Sequence, residues 1–152
     1  MAFNLGVKNQ FFVDTSGKQS LDDSETATFV KLAAGISSVT PTPGDTTDNT
    51  AYYDGGGFAN TDVTGLNYSL AFTGNRVNGD AAQDYISGLR FTTGDDRKVL
   101  LKHIDPLGNI DIALVTLSDI IDFGGDANAK QTFSFTANFD GAPQTTPATT
   151  AG

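Results

Sequence analysis

Cysteine and tryptophan are absent from this chain of 152 residues, and histidine and glutamate each occur once. Without cysteine the chain can form no disulfide framework, no thiolate metal site and no cysteine nucleophile. No apolar run approaches the roughly 20 residues that span a bilayer. The first residues also lack the charged start and apolar run of a signal peptide. These absences exclude disulfide-rich scaffolds and predict a chain that does not cross a membrane.

Basic residues are scarce as well, with 9 Lys and Arg against 18 Asp and Glu, a formal net charge of −9. Tight binding to a phosphate backbone requires clustered Lys and Arg, so this composition does not favour nucleic-acid binding. All the acids except Glu25 are aspartates, which favour helix caps and turns. We therefore expect the acidity to lie mainly in loops. There it either keeps the surface solvated or repels polyanions.

Hydrophobic residues are also few, at 38% of the chain. Globular domains usually contain about 45–50% on a count that includes glycine. The length fits one domain of roughly 100–150 residues. We therefore predict one domain in which much of the chain is surface, loop or contact with a partner.

Several segments alternate with the two-residue period of a half-buried strand. The clearest are residues 66–73, with Leu66, Tyr68, Leu70 and Phe72 on one face, and residues 132–140, with Phe133, Phe135, Ala137 and Phe139 on one face. Residues 99–104 and 110–117 predict a hairpin around a turn at 105–109 that contains Pro and Gly. Weaker strands are predicted at residues 27–33 and 11–14.

One short helix is predicted over residues 80–88. Asp80 is placed to cap it, with Gln83 three residues on, and Gly88 is placed to end it. Four residues share one face at helical spacing: Ala82, Tyr85, Ile86 and Leu89. So short a helix is unstable alone, so this face should pack on a sheet. The predicted fold is mainly β: an antiparallel β-sandwich or barrel with one short flanking α-helix.

Three segments are predicted to lie outside this core. Residues 1–24 form an N-terminal arm, residues 39–63 a long loop within the domain of residues 25–140, and residues 141–152 a flexible C-terminal tail. A loop this long is usually functional or disordered. We expect it to be disordered in a free monomer and ordered in an assembly. Its aromatic residues Tyr52, Tyr53 and Phe58 either fold back on the domain or anchor a partner.

No residue pattern predicts catalysis or a bound cofactor. His103, on a predicted strand, is expected to be a sheet residue, because the chain has neither a G-x-S-x-G elbow nor an H-E-x-x-H motif. The glycines at residues 55–57 lack the Lys-Ser/Thr of a phosphate-binding loop. Asp45 and Asp48 lack the spacing of a calcium loop. We therefore predict that the chain is not an enzyme and has no cofactor or metal site.

The phrase FTGNRVNGDAAQDYI, from Phe72 to Ile86, resembles the major tail tube protein of long-tailed, siphovirus-type phages. The resemblance extends to the order of parts over most of the chain. It implies a β-sandwich with a flanking helix that assembles into hexameric rings, which stack into the hollow tail through which DNA passes without specific binding. It further implies a virion protein, assembled in the host cytoplasm, with the tape measure, tail terminator and distal tail proteins as partners.

The resemblance also implies that the two arms and the long loop reach neighbouring subunits. The subunit-interface residues are then expected to be Phe3, Phe11, Phe12, Tyr52, Tyr53, Asp54 and Phe58. A tube wall of net negative charge is expected, because carboxylates repel DNA. The alternative from another class is a carbohydrate-binding or adhesive β-sandwich, in which Tyr52, Tyr53 and Phe58 stack on sugar. The absence of Trp counts mildly against it.

Overall fold

The structure, a computed structural model, describes residues 3–147. This part of the chain contains one α-helix, α1 (Ala81–Ser87), and eight strands. The strands are β1 (Gln10–Asp14), β2 (Phe29–Lys31), β3 (Ile36–Ala51), β4 (Ala59–Asn75), β5 (Lys98–Ile104), β6 (Ile110–Ile121), β7 (Thr132–Phe139) and β8 (Gln144–Thr146). Short 3₁₀ turns occupy Gly6–Lys8, Leu21–Asp23, Tyr53–Gly55 and Gly94–Arg97. The predicted class, mainly β with one short helix, is confirmed.

Within residues 3–147 the strands form one antiparallel sheet in the order β2-β1-β5-β6-β7-β4-β3, with β8 added to β6. The sheet folds over on itself. In a flat sheet β1 and β4 would lie four strand spacings apart, about 19 Å. Instead the rings of Phe11 in β1 and Phe72 in β4 touch edge to face, with their centroids 5.2 Å apart. This closure produces the sandwich-like core that the strand pattern predicts.

The core lies between the inward faces of the folded sheet, where the predicted alternation holds. Phe72, Phe133 and Phe135 are fully buried. Phe72 stacks on Phe135 with 4.7 Å between the ring centroids, and Phe133 meets Phe135 edge to face at 5.7 Å. Leu66, predicted on the same face of β4, is instead 64% exposed. Residues 59–67 of β4 pair only with β3, so Leu66 has no opposite layer to pack against.

Helix α1 closes the core as its spacing predicts. The Asp80 carboxylate accepts a hydrogen bond of 3.1 Å from the backbone N–H of Gln83, which is the expected N-cap. Gly88 is the C-cap residue. Ala82 and Ile86 are fully buried, while Tyr85 and Leu89 are partly buried against the core. The helix therefore presents the predicted face to the sheet.

Gln83 has a second role that its position near the cap did not suggest. Its side chain is fully buried. Its Oε1 accepts from the Val77 amide at 2.7 Å, and its Nε2 donates to the carbonyls of Ala34 at 2.7 Å and Asn75 at 3.2 Å. One amide group thus ties the helix to the start of β3 and the end of β4.

The two terminal segments are less separate from the core than expected. Residues 1–24 were predicted to be an arm, but β1 lies inside the sheet between β2 and β5. Val13 consequently belongs to the core. Of residues 141–152, predicted to be a tail, β8 pairs with the first residues of β6. Residues 148–152 lie outside the described part of the chain. Both segments are recruited because β5 and β6 present free backbone edges there.

The segment predicted as a loop, residues 39–63, is part of a long β-hairpin. β3 pairs with β4 from Ile36 to Ala51, with irregularities between Ile36 and Ser38 and between Thr46 and Thr47. Pro41 and Pro43 argued against a strand in the sequence, because proline has no N–H to donate to a neighbouring strand. They fit because β3 is the last strand of the sheet, with one edge unpaired.

Candidate assembly interface

The outer half of the β3–β4 hairpin projects beyond the domain. β7 pairs with β4 only at Ser69–Asn75, so residues 44–51 and 59–67 pair solely with each other. We call this two-stranded segment, residues 44–67 with its turn, the ribbon. Its seven steps from Gly44 to Ala51 extend it by about 24 Å at roughly 3.4 Å per residue. A two-stranded ribbon alone is at best marginally stable in water, so this projection requires support.

The end of the ribbon carries large apolar side chains in solvent. Tyr53 is fully exposed, Phe58 is 81% exposed and Tyr52 is 53% exposed. They flank a glycine turn in which Gly56 and Gly57 adopt positive φ of 64° and 87°, the region that glycine enters without strain. Exposed aromatic clusters of this kind mark interaction surfaces. The sequence left open whether these three residues fold back on the domain or anchor a partner. Their exposure shows that they do not fold back into the core.

The ribbon is also acidic. Between Leu32 and Asn75 the charged residues are Asp45, Asp48, Asp54 and Asp62, and none is basic. Asp48 and Asp62 are direct cross-strand partners. Like charges placed directly opposite each other destabilise a strand pair. The ribbon in isolation therefore combines exposed aromatic rings with unbalanced negative charge.

The outward face of the β3–β4–β7 layer is polar and uncharged. In each strand, residues that alternate with the buried ones point away from the core, and their pairing places them side by side. We call this surface the hydroxyl face: Ser38, Thr40, Thr42, Ser69, Ala71, Thr73, Thr132, Ser134, Thr136 and Asn138. Asn138 extends it to β6, where its Nδ2 donates to Ser118 Oγ at 2.9 Å. The set contains neither an acid nor a base.

The remaining residues expected at an interface lie in three different places. Phe3 is 86% exposed and precedes the Gly6–Lys8 turn. Phe11 packs inward, stacked on His103 with ring centroids 4.8 Å apart. Phe12 is half-buried on the outward face of β1. The structure therefore groups only the ribbon residues, including Asp54, into one surface.

An open apolar cleft of about 880 Å³ lies beside the base of the ribbon. Its walls include Phe11, Ile36, Val39, Leu70 and Phe139. His103 also lies on its wall, with Nε2 2.9 Å from Asn9 Oδ1 and Nδ1 3.9 Å from Asp111 Oδ2. The stacking on Phe11 and these polar contacts make His103 a packed residue of the sheet, as predicted.

In residues 3–147 no three His, Asp or Glu side chains lie together in a way that could hold a metal ion. Over the same residues, no helix is both long enough and apolar enough to cross a membrane.

The fold thus defines a class: a folded antiparallel sheet with one packed helix and a projecting, acidic and aromatic ribbon. Solved structures of other proteins share this fold. One is a chain from the tail of an empty gene transfer agent particle, refined with helical C6 symmetry. Its TM-score is 0.74 at 16% identity, and the alignment covers 95% of this chain and all of that chain.

A second similar structure is a chain from the virion of a native gene transfer agent particle. Its TM-score is 0.70 at 15% identity, with 95% of this chain and all of that chain covered. No family model matches the chain, and no curated protein matches it in sequence. The likeness at these identities establishes a shared fold over nearly the whole chain.

Proposed function

We propose that this protein is the structural subunit of a phage-type tail tube. Six copies form a ring, and the rings stack into a conduit for DNA. The observation that carries the proposal is the ribbon, which projects from the domain with its aromatic residues in solvent. A second copy of the chain would supply the surface that such a ribbon requires. The shared fold with chains of a C6-symmetric tail and of a virion supports the same conclusion.

We assign the hydroxyl face to the inner wall of the tube. Threonine, serine and asparagine side chains bind water and offer no cation to a phosphate, so DNA would release no counterions on contact. Copies arranged in a ring would place these strands side by side and cover the unpaired edge of β3. This wall is uncharged, which differs from the carboxylate-lined wall that the net charge led us to expect.

The same proposal places the protein in the virion tail, after assembly in the host cytoplasm. It has other copies of itself as its main partner, and the tape measure, tail terminator and distal tail proteins at or inside the tube. The role assigned to the chain is structural, with no catalytic step. The cleft beside the ribbon is apolar, and the proposed structural role makes no use of it.

Negative-stain electron microscopy of the purified protein, over a range of concentrations, tests the proposal. We expect rings with sixfold symmetry, or tubes built from them. Dispersed monomers at every concentration would contradict it. Monomers that also bind glycans, with binding lost on replacement of Tyr53 and Phe58 by alanine, would favour the adhesive module instead.

A further inference from the structure

Two lysines and two phenylalanines lie together on the outward face of strands β2, β1 and β5. Phe12 in β1 pairs with Lys31 in β2 on one side and with Lys102 in β5 on the other. Lys102 Nζ lies 5.4 Å from the ring centroid of Phe12 and 5.3 Å from that of Phe29. We call these four residues the basic row. It combines two positive charges with two aromatic rings on one surface.

The lysines of the basic row have no carboxylate partner in the described structure. Three other cations of residues 3–147 are paired with carboxylates: Arg76 with Asp84 at 2.7 Å, Arg90 with Asp122 at 3.0 Å and Lys98 with Asp140 at 2.5 Å. No such pair includes Lys31 or Lys102, although the chain has twice as many acids as bases. Positive charge left unpaired on an aromatic surface suits an acidic, aromatic partner.

The ribbon has the complementary chemistry. Its opposed carboxylates, Asp48 and Asp62, repel each other across the strand pair and have no base within ion-pair distance among the described residues. Two cations placed against them would remove that repulsion. The exposed rings of Tyr53 and Phe58, close by on the same ribbon, would then have apolar surface to cover.

We propose that the ribbon of one copy docks on the basic row of a second copy, with Asp48 and Asp62 against Lys31 and Lys102. This inference rests on the proposed self-assembly and specifies which surfaces meet. The dimensions agree. The two lysines stand two strand spacings apart, about 10 Å between backbones, and their long flexible side chains can converge on carboxylates about 5 Å apart.

Salt should weaken this contact. Exposed charges farther apart than the Debye length, about 10 Å at 0.1 M salt, are largely screened, and the screening length falls as salt is added. Replacement of both lysines by glutamate would set four carboxylates against one another. Juxtaposed like charges at an interface are strongly unfavourable, so each reversal should cause a large loss of assembly.

Charge reversal in the full-length chain tests the docking, with assembly followed by sedimentation velocity and electron microscopy. We expect K31E/K102E and D48K/D62K each to raise the concentration needed for assembly at least about tenfold. The variant that carries all four substitutions should assemble within a few-fold of the wild type, because the attraction is restored with its signs exchanged. K8E/K130E, which makes the same change in net charge at exposed lysines outside the row, should assemble normally.

The outcomes separate this inference from the proposed function. Sixfold rings that form equally well in K31E/K102E and in the wild type would overturn the docking and leave the tube proposal standing. If the variant with all four substitutions assembles again but its particles lack sixfold symmetry, the docking is supported and the tube proposal is contradicted. The docking would also be overturned if the wild-type chain retards duplex DNA in a gel, and K31E/K102E loses this retardation but assembles unchanged. The basic row would then be a DNA-binding surface.

Discussion

At the scale of single residues, two buried polar side chains hold together segments that are distant in the sequence. Gln83 joins the helix to β3 and β4. Asp14, at the end of β1, is fully buried and accepts hydrogen bonds from the Ser16 hydroxyl at 2.6 Å and from the amides of Ser16, Lys18 and Thr28 at 2.9 Å each. It thereby organises the connection between β1 and β2.

The environment of Asp14 predicts a pH dependence of stability. Burial opposes ionisation of the carboxyl, but the hydrogen bonds from Ser16, Lys18 and Thr28 outweigh it and hold the pKa of Asp14 below its usual value. A carboxyl whose pKa is lower in the folded state stabilises the fold above its unfolded pKa of about 3.9. That stabilisation is lost as the pH falls through the folded pKa.

We therefore expect Asp14→Asn to lower the free energy of unfolding at neutral pH by about 1–3 kcal/mol, since at least one of the donors to this buried side chain loses its acceptor. The difference from the wild type should shrink below about pH 4. Urea unfolding of unassembled protein between about pH 2 and pH 7 measures both effects. Asp126→Asn, at an exposed loop position, should follow the wild type. A difference between Asp14→Asn and wild type that is constant across this range would contradict the argument.

At the scale of elements, the ribbon and the sandwich have separate energetic roles. The sandwich buries the aromatic core, whereas the ribbon buries almost nothing within its own chain. Substitutions at the end of the ribbon should therefore alter association without altering the folded domain. This separation allows assembly and stability to be measured independently.

We expect Tyr53→Ala and Phe58→Ala each to weaken assembly by about 2 kcal/mol or more, the range of aromatic interface anchors. That corresponds to roughly 30-fold in the association constant. The melting temperature of the unassembled chain should not change. Phe91→Ala provides a matched control, because Phe91 is 86% exposed and lies outside the ribbon. Concentration-dependent sedimentation measures the effect, and equal assembly by the variants and the wild type would exclude the ribbon as an anchor.

At the scale of the whole molecule, the folded sheet presents two outward faces of different chemistry. One is the hydroxyl face, without charge, and the other carries the basic row. A subunit with two unlike faces can place one toward the interior of a ring and use the other for contacts.

The assignment of the wall can be checked with single cysteines, since the chain has none of its own. Thr73 is exposed on the hydroxyl face, so Thr73→Cys in the unassembled chain should react with both a small maleimide and a maleimide carried on a large protein. In assembled tubes the small reagent should still react, whereas the large one should not enter the lumen. Full labelling of assembled tubes by the large reagent would place this face outside.

The sequence by itself determined the elements that bury a periodic face. The alternation in β4 and β7, the turn between β5 and β6 and the cap, face and end of α1 are local signals, because each depends on neighbours within about eight residues. They were sufficient for the mainly β class and the flanking helix. The resemblance of Phe72–Ile86 to tail tube proteins rests on the same part of the chain.

The tertiary structure alone decided the strands that bury little. Much of β3 is Thr, Pro and Gly without apolar alternation, and it becomes a strand only because β4 supplies its hydrogen-bonding edge. β8 enters the sheet only through pairing with β6. The sequence predicted β1 as a short strand, but its place inside the sheet depends on pairing with β5, far away in sequence. The hydroxyl face and the basic row likewise exist only once register aligns residues from separate strands. Pairing of this kind depends on long-range backbone geometry, which a local pattern of side chains does not encode.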